Sequence, residues 1–213
     1  MSNALRQELI ETALEMNASG INQGTSGNLS ARFEGGMLIT PSGVRYEKLS
    51  PGDIVFVDQN GHAQGSRKPS SEWRFHHDIY RTRNDAHAVV HSHPRFCSSL
   101  ACMSRSIPAF HYMVAVAGGS DIRCAAYATF GTQQLSDNVI AALDERKACL
   151  MANHGMVCLE AKLEKALALA VEIEHLAAIY CQSLEIGEPT ILDDDEMKLV
   201  IDKFRNYGEP DDS

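Results

Sequence analysis

The sequence predicts an α/β protein with a mixed, mostly antiparallel central sheet covered by helices. Short apolar runs occur both as hairpins around glycine turns and singly between helical stretches, a pattern that mixes strand connections within one sheet. The stretch Ala161 to Leu184, rich in Ala, Leu and Glu, has the length and composition of a long helix. Over 213 residues, 44% hydrophobic against 22% charged content supplies a core for a single domain, 1–213.

The elements follow in order. Leu5, Leu9, Ala13 and Met16 recur at helical spacing, and Ser19-Gly20 closes that helix. LSARF and MLIT flank Glu34-Gly35-Gly36 as a hairpin, and DIVFVD runs into Asp58-Gln59-Asn60-Gly61, a second hairpin signal. After Lys68-Pro69, Ser70 or Ser71 can cap a helix running to about Arg83, because Pro69 forbids its continuation upstream. A buried-strand run covers His87 to His91, and Pro94 opens a helix to about Met103. HYMVAVAGG fits no single pattern, while IRCAAYA reads as a strand. Ser136 to Leu143 is helical, ACLMA and MVCLE read as strands around Asn153-His154-Gly155, and a last helix covers Asp194 to Arg205.

Charge and composition exclude several classes. The formal net charge is −9, with no long basic run, so nothing gathers phosphates along an extended nucleic-acid backbone. A small phosphorylated substrate remains compatible, since a local pocket can oppose the global charge. The six cysteines include no CxxC pair and read as free thiols in a reducing compartment. There is no run of about 18 apolar residues and no signal-type N-terminus, so no membrane partner and a cytoplasmic setting are expected.

Three of the nine histidines stand out. His91-Ser92-His93 ends an apolar strand, and residues i and i+2 of a strand face the same way, so both imidazoles can reach one point. Alone, HxH also fits a sheet edge with two partly buried polar residues. His154 ends another strand run, just before Gly155 where a sharp turn is needed, and a third imidazole there turns the pattern into a divalent-metal site with open positions. Zinc suits imidazole best; manganese, iron and cobalt are compatible. His62, His76, His77 and His175 read as structural, and His87 and His111 are left unassigned.

Three loops, Thr25-Ser26-Gly27-Asn28, Ser42-Gly43 and Ser70-Ser71, offer backbone N–H groups and hydroxyls suited to an anion. Each alone also fits an ordinary turn or cap. Neither GxxxxGK[ST] nor GxGxxG is present, so nucleotide chemistry has no support. Glu72 follows the double serine at the first helical turn, where a carboxylate either complements the helix dipole or sits beside a bound phosphate as a base.

Taken together, NQGTSGNLS, TPSGVRYEKL, KPSSEWRFH, VVHSHPRFC, IPAFHYM, YATFGT and NHGMVC resemble the zinc-dependent class II aldolases of the L-fuculose-1-phosphate aldolase type, with their ribulose-phosphate 4-epimerase relatives. The resemblance covers almost the whole chain. It implies a three-layer α/β/α fold, C4 tetramers with active sites at subunit interfaces, and a Zn2+ ion on His91, His93 and His154. Glu72 is implied as a fourth ligand without substrate and as the acid/base once substrate displaces it. Gly27, Asn28, Ser42, Gly43, Ser70 and Ser71 are implied as the phosphate cradle. Tyr112, from a neighbouring subunit, is implied as the proton donor to the aldehyde oxygen. Thr25, Phe130, Phe204 and Tyr207 would shape the aldehyde end.

The implied reaction is reversible cleavage of a ketose 1-phosphate between C3 and C4 to dihydroxyacetone phosphate and an aldehyde. L-fuculose 1-phosphate, giving L-lactaldehyde, is the leading substrate, with 5-deoxyribulose 1-phosphate or 5-(methylthio)ribulose 1-phosphate as the alternative. The 4-epimerase relatives carry aspartate where this chain has Glu72. A non-catalytic scaffold resembling the adducin head would lose the histidines and glutamate that this chain keeps. Pro94-Arg95-Phe96 and Asn153 depart from the fuculose-specific pattern next to the implied metal, so substrate identity is less constrained than reaction class.

Overall fold

The computed structural model of the protein describes residues 2–205. Its elements are α1 (Ser2–Ala18), β1 (Asn28–Phe33), β2 (Gly36–Ile39), β3 (Val55–Val57), β4 (Ala63–Gln64), α2 (Trp73–Thr82), β5 (Ala88–Ser92), α3 (Arg95–Cys102), β6 (Cys124–Ala125), α4 (Gln133–Ala142), β7 (Ala148–Met151), β8 (Gly155–Glu160), α5 (Leu163–Ile186) and α6 (Asp194–Arg205). The strands form one sheet in the order β4-β3-β2-β1-β5-β8-β7-β6. Only β6 and β7 run parallel; every other pairing is antiparallel. The sheet is therefore mixed and mostly antiparallel, as expected.

Two apolar cores make three layers. On one face, Ala88 and Val90 of β5 and Met156 and Cys158 of β8 pack with residues of α1, α3 and α5. On the other, Val89, Val157 and Leu159 pack with Phe75 and Ile79 of α2 and Leu135 and Val139 of α4. Because both faces are covered, the central strands β5 and β8 read as continuous apolar runs rather than as an alternation of apolar and polar residues. By length and composition α5 could cross a membrane. In the fold its buried side, including Ile173, Leu176 and Ala177, belongs to the core beneath the sheet.

Several local expectations shift. Helix α2 starts at Trp73, with Glu72 in the N-cap position and no side-chain cap; Ser70 Oγ instead accepts the Glu72 N–H at 3.3 Å. IRCAAYA contributes only Cys124–Ala125 to the sheet, with an isolated Ile107–Ile122 bridge beside it, because most of its residues run along the edge without a partner strand. HYMVAVAGG contains a 3-10 helix, Tyr112–Ala117, capped by His111, whose Nδ1 accepts the Met113 N–H. Helix α4 begins earlier than expected because Thr132 caps it through the Leu135 N–H. All six cysteines are free.

Candidate active site

The site is built where β1, β5 and β8 lie side by side. The ladder places Asn28 opposite His91 on one side and Val157 opposite it on the other. His91 is fully buried, pointing toward α2, where its ring meets Phe75 edge-on at 5.3 Å. His93, two residues on, returns to the same point: the two Nε2 atoms are 2.9 Å apart. His154 enters from the β7–β8 turn, its ring 4.9 Å from both. The left-handed residue of that turn is Asn153, at φ 54°, not Gly155. Gly155 is required for another reason. A Cβ there would lie 2.4 Å from the Ser92 carbonyl and 2.6 Å from the His93 ring, so only glycine lets His93 lie against the start of β8.

Glu72 completes the cluster from the α2 side. Its Oε2 is 3.1 Å from His91 Nε2, and its Oε1 is 3.0 Å from His154 Nε2. One ligand atom from each of Glu72, His91, His93 and His154 lies within 4.8 Å of all the others. Burial alone would raise the Glu72 carboxyl, but the His91 and His154 rings outweigh it and hold the group well below the usual carboxylate range. Burial likewise acts to lower His91, and the Glu72 carboxylate reverses that to a net rise. Burial, with His91 and His154 adding, pushes His93 down to about 4.

This donor set fits a divalent cation. His91 Nδ1 lies 2.8 Å from the Met156 carbonyl, so that nitrogen carries a proton, and with a cation in place the ring would offer its Nε2 lone pair to the cluster. Glu72 Oε1 is buried, and among the described residues no donor is aligned to it. Carboxylate and imidazole lone pairs aimed at one centre repel each other unless a cation stands among them. Three imidazoles and one carboxylate, with neither thiolate nor an all-oxygen shell, match the ligand chemistry of zinc-type ions.

Two of the expected anion loops reach this cluster, through Asn28 and Ser70, which bond Glu72, and the third is tied to the second. The chain from Thr40 to Ser42 is tied to that from Lys68 to Ser70 by Ser42 N–H to Lys68 O at 3.1 Å and Ser70 N–H to Thr40 O at 3.0 Å. Gly27 leads directly into Asn28, and a Cβ on it would lie 2.6 Å from the His91 carbonyl. The Gly27 carbonyl accepts a hydrogen bond from the buried Tyr46 hydroxyl. Ser70 and Ser71 immediately precede Glu72. Thr25, Ser42, Gly43 and Ser71 are exposed, whereas Gly27, Asn28 and Ser70 are buried.

Residues 7–181 match the family described as Class II Aldolase and Adducin N-terminal domain. The chain belongs to that family. A 5-methylthioribulose-1-phosphate/5-deoxyribulose-1-phosphate aldolase from Rhodospirillum rubrum is 56% identical over 97% of this chain and 93% of its own. An L-fuculose phosphate aldolase from Escherichia coli K12 is 52% identical over 97% and 96%. A solved L-fuculose 1-phosphate aldolase superposes with a TM-score of 0.93 at 41% identity, covering 96% of this chain and 98% of that one. These relatives identify the chain as an aldolase, a carbon–carbon lyase; class II aldolases are metal-dependent, and the Glu72–His91–His93–His154 cluster could bind the metal.

Tyr112 and Phe130, also expected at the site of this aldolase, make no hydrogen bond or ring contact with the Glu72 cluster among the described contacts. Tyr112 is 51% exposed, stacked on His111 and Phe204, with no contact to the Glu72 cluster among those described. Phe130 is exposed; the next residue, Gly131, accepts a hydrogen bond from Arg74 of α2. Tyr207 lies outside the described residues. Conversely, His76, read from sequence as structural, is fully buried and bonded to Asn28, with Ser30 and Tyr80 behind it. The signal that could have found these three is periodicity: Glu72, His76 and Tyr80 stand four apart along α2 and its N-cap, and Asn28 and Ser30 two apart on one strand.

Proposed function

We propose that this aldolase cleaves a ketose 1-phosphate, L-fuculose 1-phosphate in the leading reading, reversibly to dihydroxyacetone phosphate and L-lactaldehyde. The observation that carries the proposal is the Glu72–His91–His93–His154 cluster, two members buried and two half-buried, beside serine- and glycine-bearing loops. His91, His93, His154 and, without substrate, Glu72 would hold Zn2+. Bound there, the ion supplies Lewis-acid stabilisation of negative charge developing on the ketose oxygens. The cradle of Gly27, Asn28, Ser42, Gly43, Ser70 and Ser71 holds the phosphate with backbone and hydroxyl donors and so places C3 near Glu72.

In condensation, the Glu72 carboxylate takes the C3 proton of dihydroxyacetone phosphate, the enediolate's electron pair forms the C3–C4 bond, and the Tyr112 hydroxyl gives its proton to the aldehyde oxygen; Glu72 then loses its proton to solvent and Tyr112 regains one. Cleavage reverses each step, with Tyr112 taking the C4 hydroxyl proton as phenolate and protonated Glu72 giving its proton to C3. Tyr112 is half-exposed and, among the described contacts, stacks on His111 and Phe204 and not on its own chain's cluster, which supports a homotetramer in which a neighbouring subunit supplies it. Thr25, Phe130, Phe204 and Tyr207 shape the aldehyde end. We place the enzyme, one domain across 1–213, in the cytoplasm.

A second reading, cleavage of 5-(methylthio)ribulose 1-phosphate or 5-deoxyribulose 1-phosphate, is favoured by the 56% identity to the Rhodospirillum rubrum enzyme. The test compares kcat/KM for L-fuculose 1-phosphate and 5-(methylthio)ribulose 1-phosphate on one zinc-loaded preparation, before and after chelation. Release of dihydroxyacetone phosphate should vanish on chelation and return with zinc, and the larger kcat/KM names the substrate. Glu72→Gln should slow C3 proton exchange of dihydroxyacetone phosphate by about 10²-fold or more. Release that survives removal of all bound metal would sink the proposal.

A further inference from the structure

Between α2 and β1 runs a line of side-chain hydrogen bonds that the reaction does not itself require. Asn28 Nδ2 donates to Glu72 Oε2 at 3.0 Å. Asn28 Oδ1 lies 2.6 Å from His76 Nε2, His76 Nδ1 lies 2.7 Å from Ser30 Oγ, and Ser30 Oγ lies 2.9 Å from the Tyr80 hydroxyl. All five residues are buried, and His76 and Ser30 are at 0% exposure. The register is natural to the two elements. Four residues of helix rise about 6 Å and two residues of strand about 6.6 Å, so Glu72, His76 and Tyr80 interleave with Asn28 and Ser30.

One end fixes the direction of the whole line. An ionised carboxylate only accepts, so Asn28 must turn its NH2 to Glu72 and its carbonyl oxygen to His76. His76 must then donate from Nε2 and accept at Nδ1, Ser30 must donate to the ring, and Tyr80 must donate to Ser30. Burial pushes His76 down to about 3, which keeps the ring neutral as this pattern requires. Stacking on Phe75, with ring centroids 4.6 Å apart, holds its plane. Were the ring removed, the Asn28 amide could flip and present its oxygen to the carboxylate.

We propose that His76 is a positioning residue for Glu72, acting through Asn28 to lock the carboxylate by one oxygen and leave Oε1 directed at the metal cluster. This rests on the reading of Glu72 as acid/base and ligand. The role differs from that of an ordinary core histidine because the bond toward Asn28 matters and the bond toward Ser30 only supports it. Two substitutions separate these bonds. His76→Gln places an amide donor near the Nε2 position and loses the Ser30 contact; His76→Asn keeps an acceptor near Nδ1 and does not reach Asn28. Each strands one buried polar partner, so both should cost similar stability.

The experiment measures kcat and KM for cleavage, C3 proton exchange of dihydroxyacetone phosphate, and bound zinc by elemental analysis, for wild type, both His76 variants and Glu72→Gln. His76→Asn should lose about tenfold or more in kcat and in exchange, with KM little changed and weaker zinc retention, while His76→Gln stays within about threefold of wild type. Equal losses in the two variants, or a His76→Asn enzyme within about twofold of wild type, would overturn the positioning role. Exchange surviving in Glu72→Gln would overturn the underlying reading of Glu72 instead, whatever the His76 variants do. Should either variant fail to fold, ring 15N shifts of the unmodified, histidine-labelled enzyme decide. A neutral His76 ring protonated at Nε2 supports the line as drawn, and one protonated at Nδ1 overturns it.

Discussion

Helices α5 and α2 cover opposite faces of the same strands and are held there by different physics. Beneath α5, Ile173, Leu176 and Ala177 meet Ala88, Val90 and Cys158 in a core assembled from apolar side chains. Under α2, Phe75 and Ile79 are interleaved with Glu72, His76 and Tyr80, whose polar atoms are matched to Asn28, Ser30 and His91. On the first face, volume decides: any apolar residue of the right size serves, and loss of volume is felt as stability. On the second, each donor has an assigned acceptor, and a wrong partner is felt first in the carboxylate at the end of the line. The Glu72–His91–His93–His154 cluster sits on the second face, where the positions of a few polar atoms matter most.

Three changes sharpen this contrast. The largest is on the apolar face. Leu176→Ala, at a fully buried position, should destabilise the protein by about 2–5 kcal/mol in urea unfolding while leaving kcat per folded molecule unchanged. A kcat that drops with the stability would show that the two faces are not independent.

The next is a pH effect on the polar face. His76 is held near 3 when folded and titrates near 6.5 when unfolded, so below pH 6.5 the unfolded chain binds a proton that the folded one does not. Stability should therefore fall as pH drops from 6.5 toward 3, with this one residue contributing up to about 1.4 kcal/mol per pH unit. In His76→Gln the unfolding midpoint should decline less steeply between pH 6.5 and 4.5, and an unchanged slope would refute the assignment of that proton.

The smallest concerns the rim of the α2 face. Thr132 caps α4 with a 3.2 Å bond to the Leu135 N–H, and Thr132→Ala should cost about 1 kcal/mol with no effect on zinc content. Thermal unfolding and elemental analysis of the same sample check both halves of that statement.

Much of this was legible in the residues. Strand alternation put His91 and His93 on one face, and the structure brings their Nε2 atoms to 2.9 Å. The hydroxyl-rich loops and Glu72 were visible as candidates because phosphate and acid/base chemistry call for those residue types. Less legible were weakly patterned segments: IRCAAYA has strand composition, yet its place on the sheet edge leaves it two paired residues. The start of α2 was misplaced because Ser70, a good cap by type, bonds the Glu72 N–H in a turn before the helix.

What the sequence determined by itself was periodic: which stretches coil or extend, which positions along each face the core, and which side chains can donate to a metal. What the tertiary structure alone decided was the pairing between elements distant along the chain. His76 differs from His77 by one position on the same helix, and nothing local says that one meets Asn28 and Ser30 while the other meets the carbonyls of Asp58 and Gln59. That choice is made when α2 settles over β1 in one register, where the helix's four-residue step and the strand's two-residue step bring Asn28, Ser30, His76 and Tyr80 into one line of hydrogen bonds.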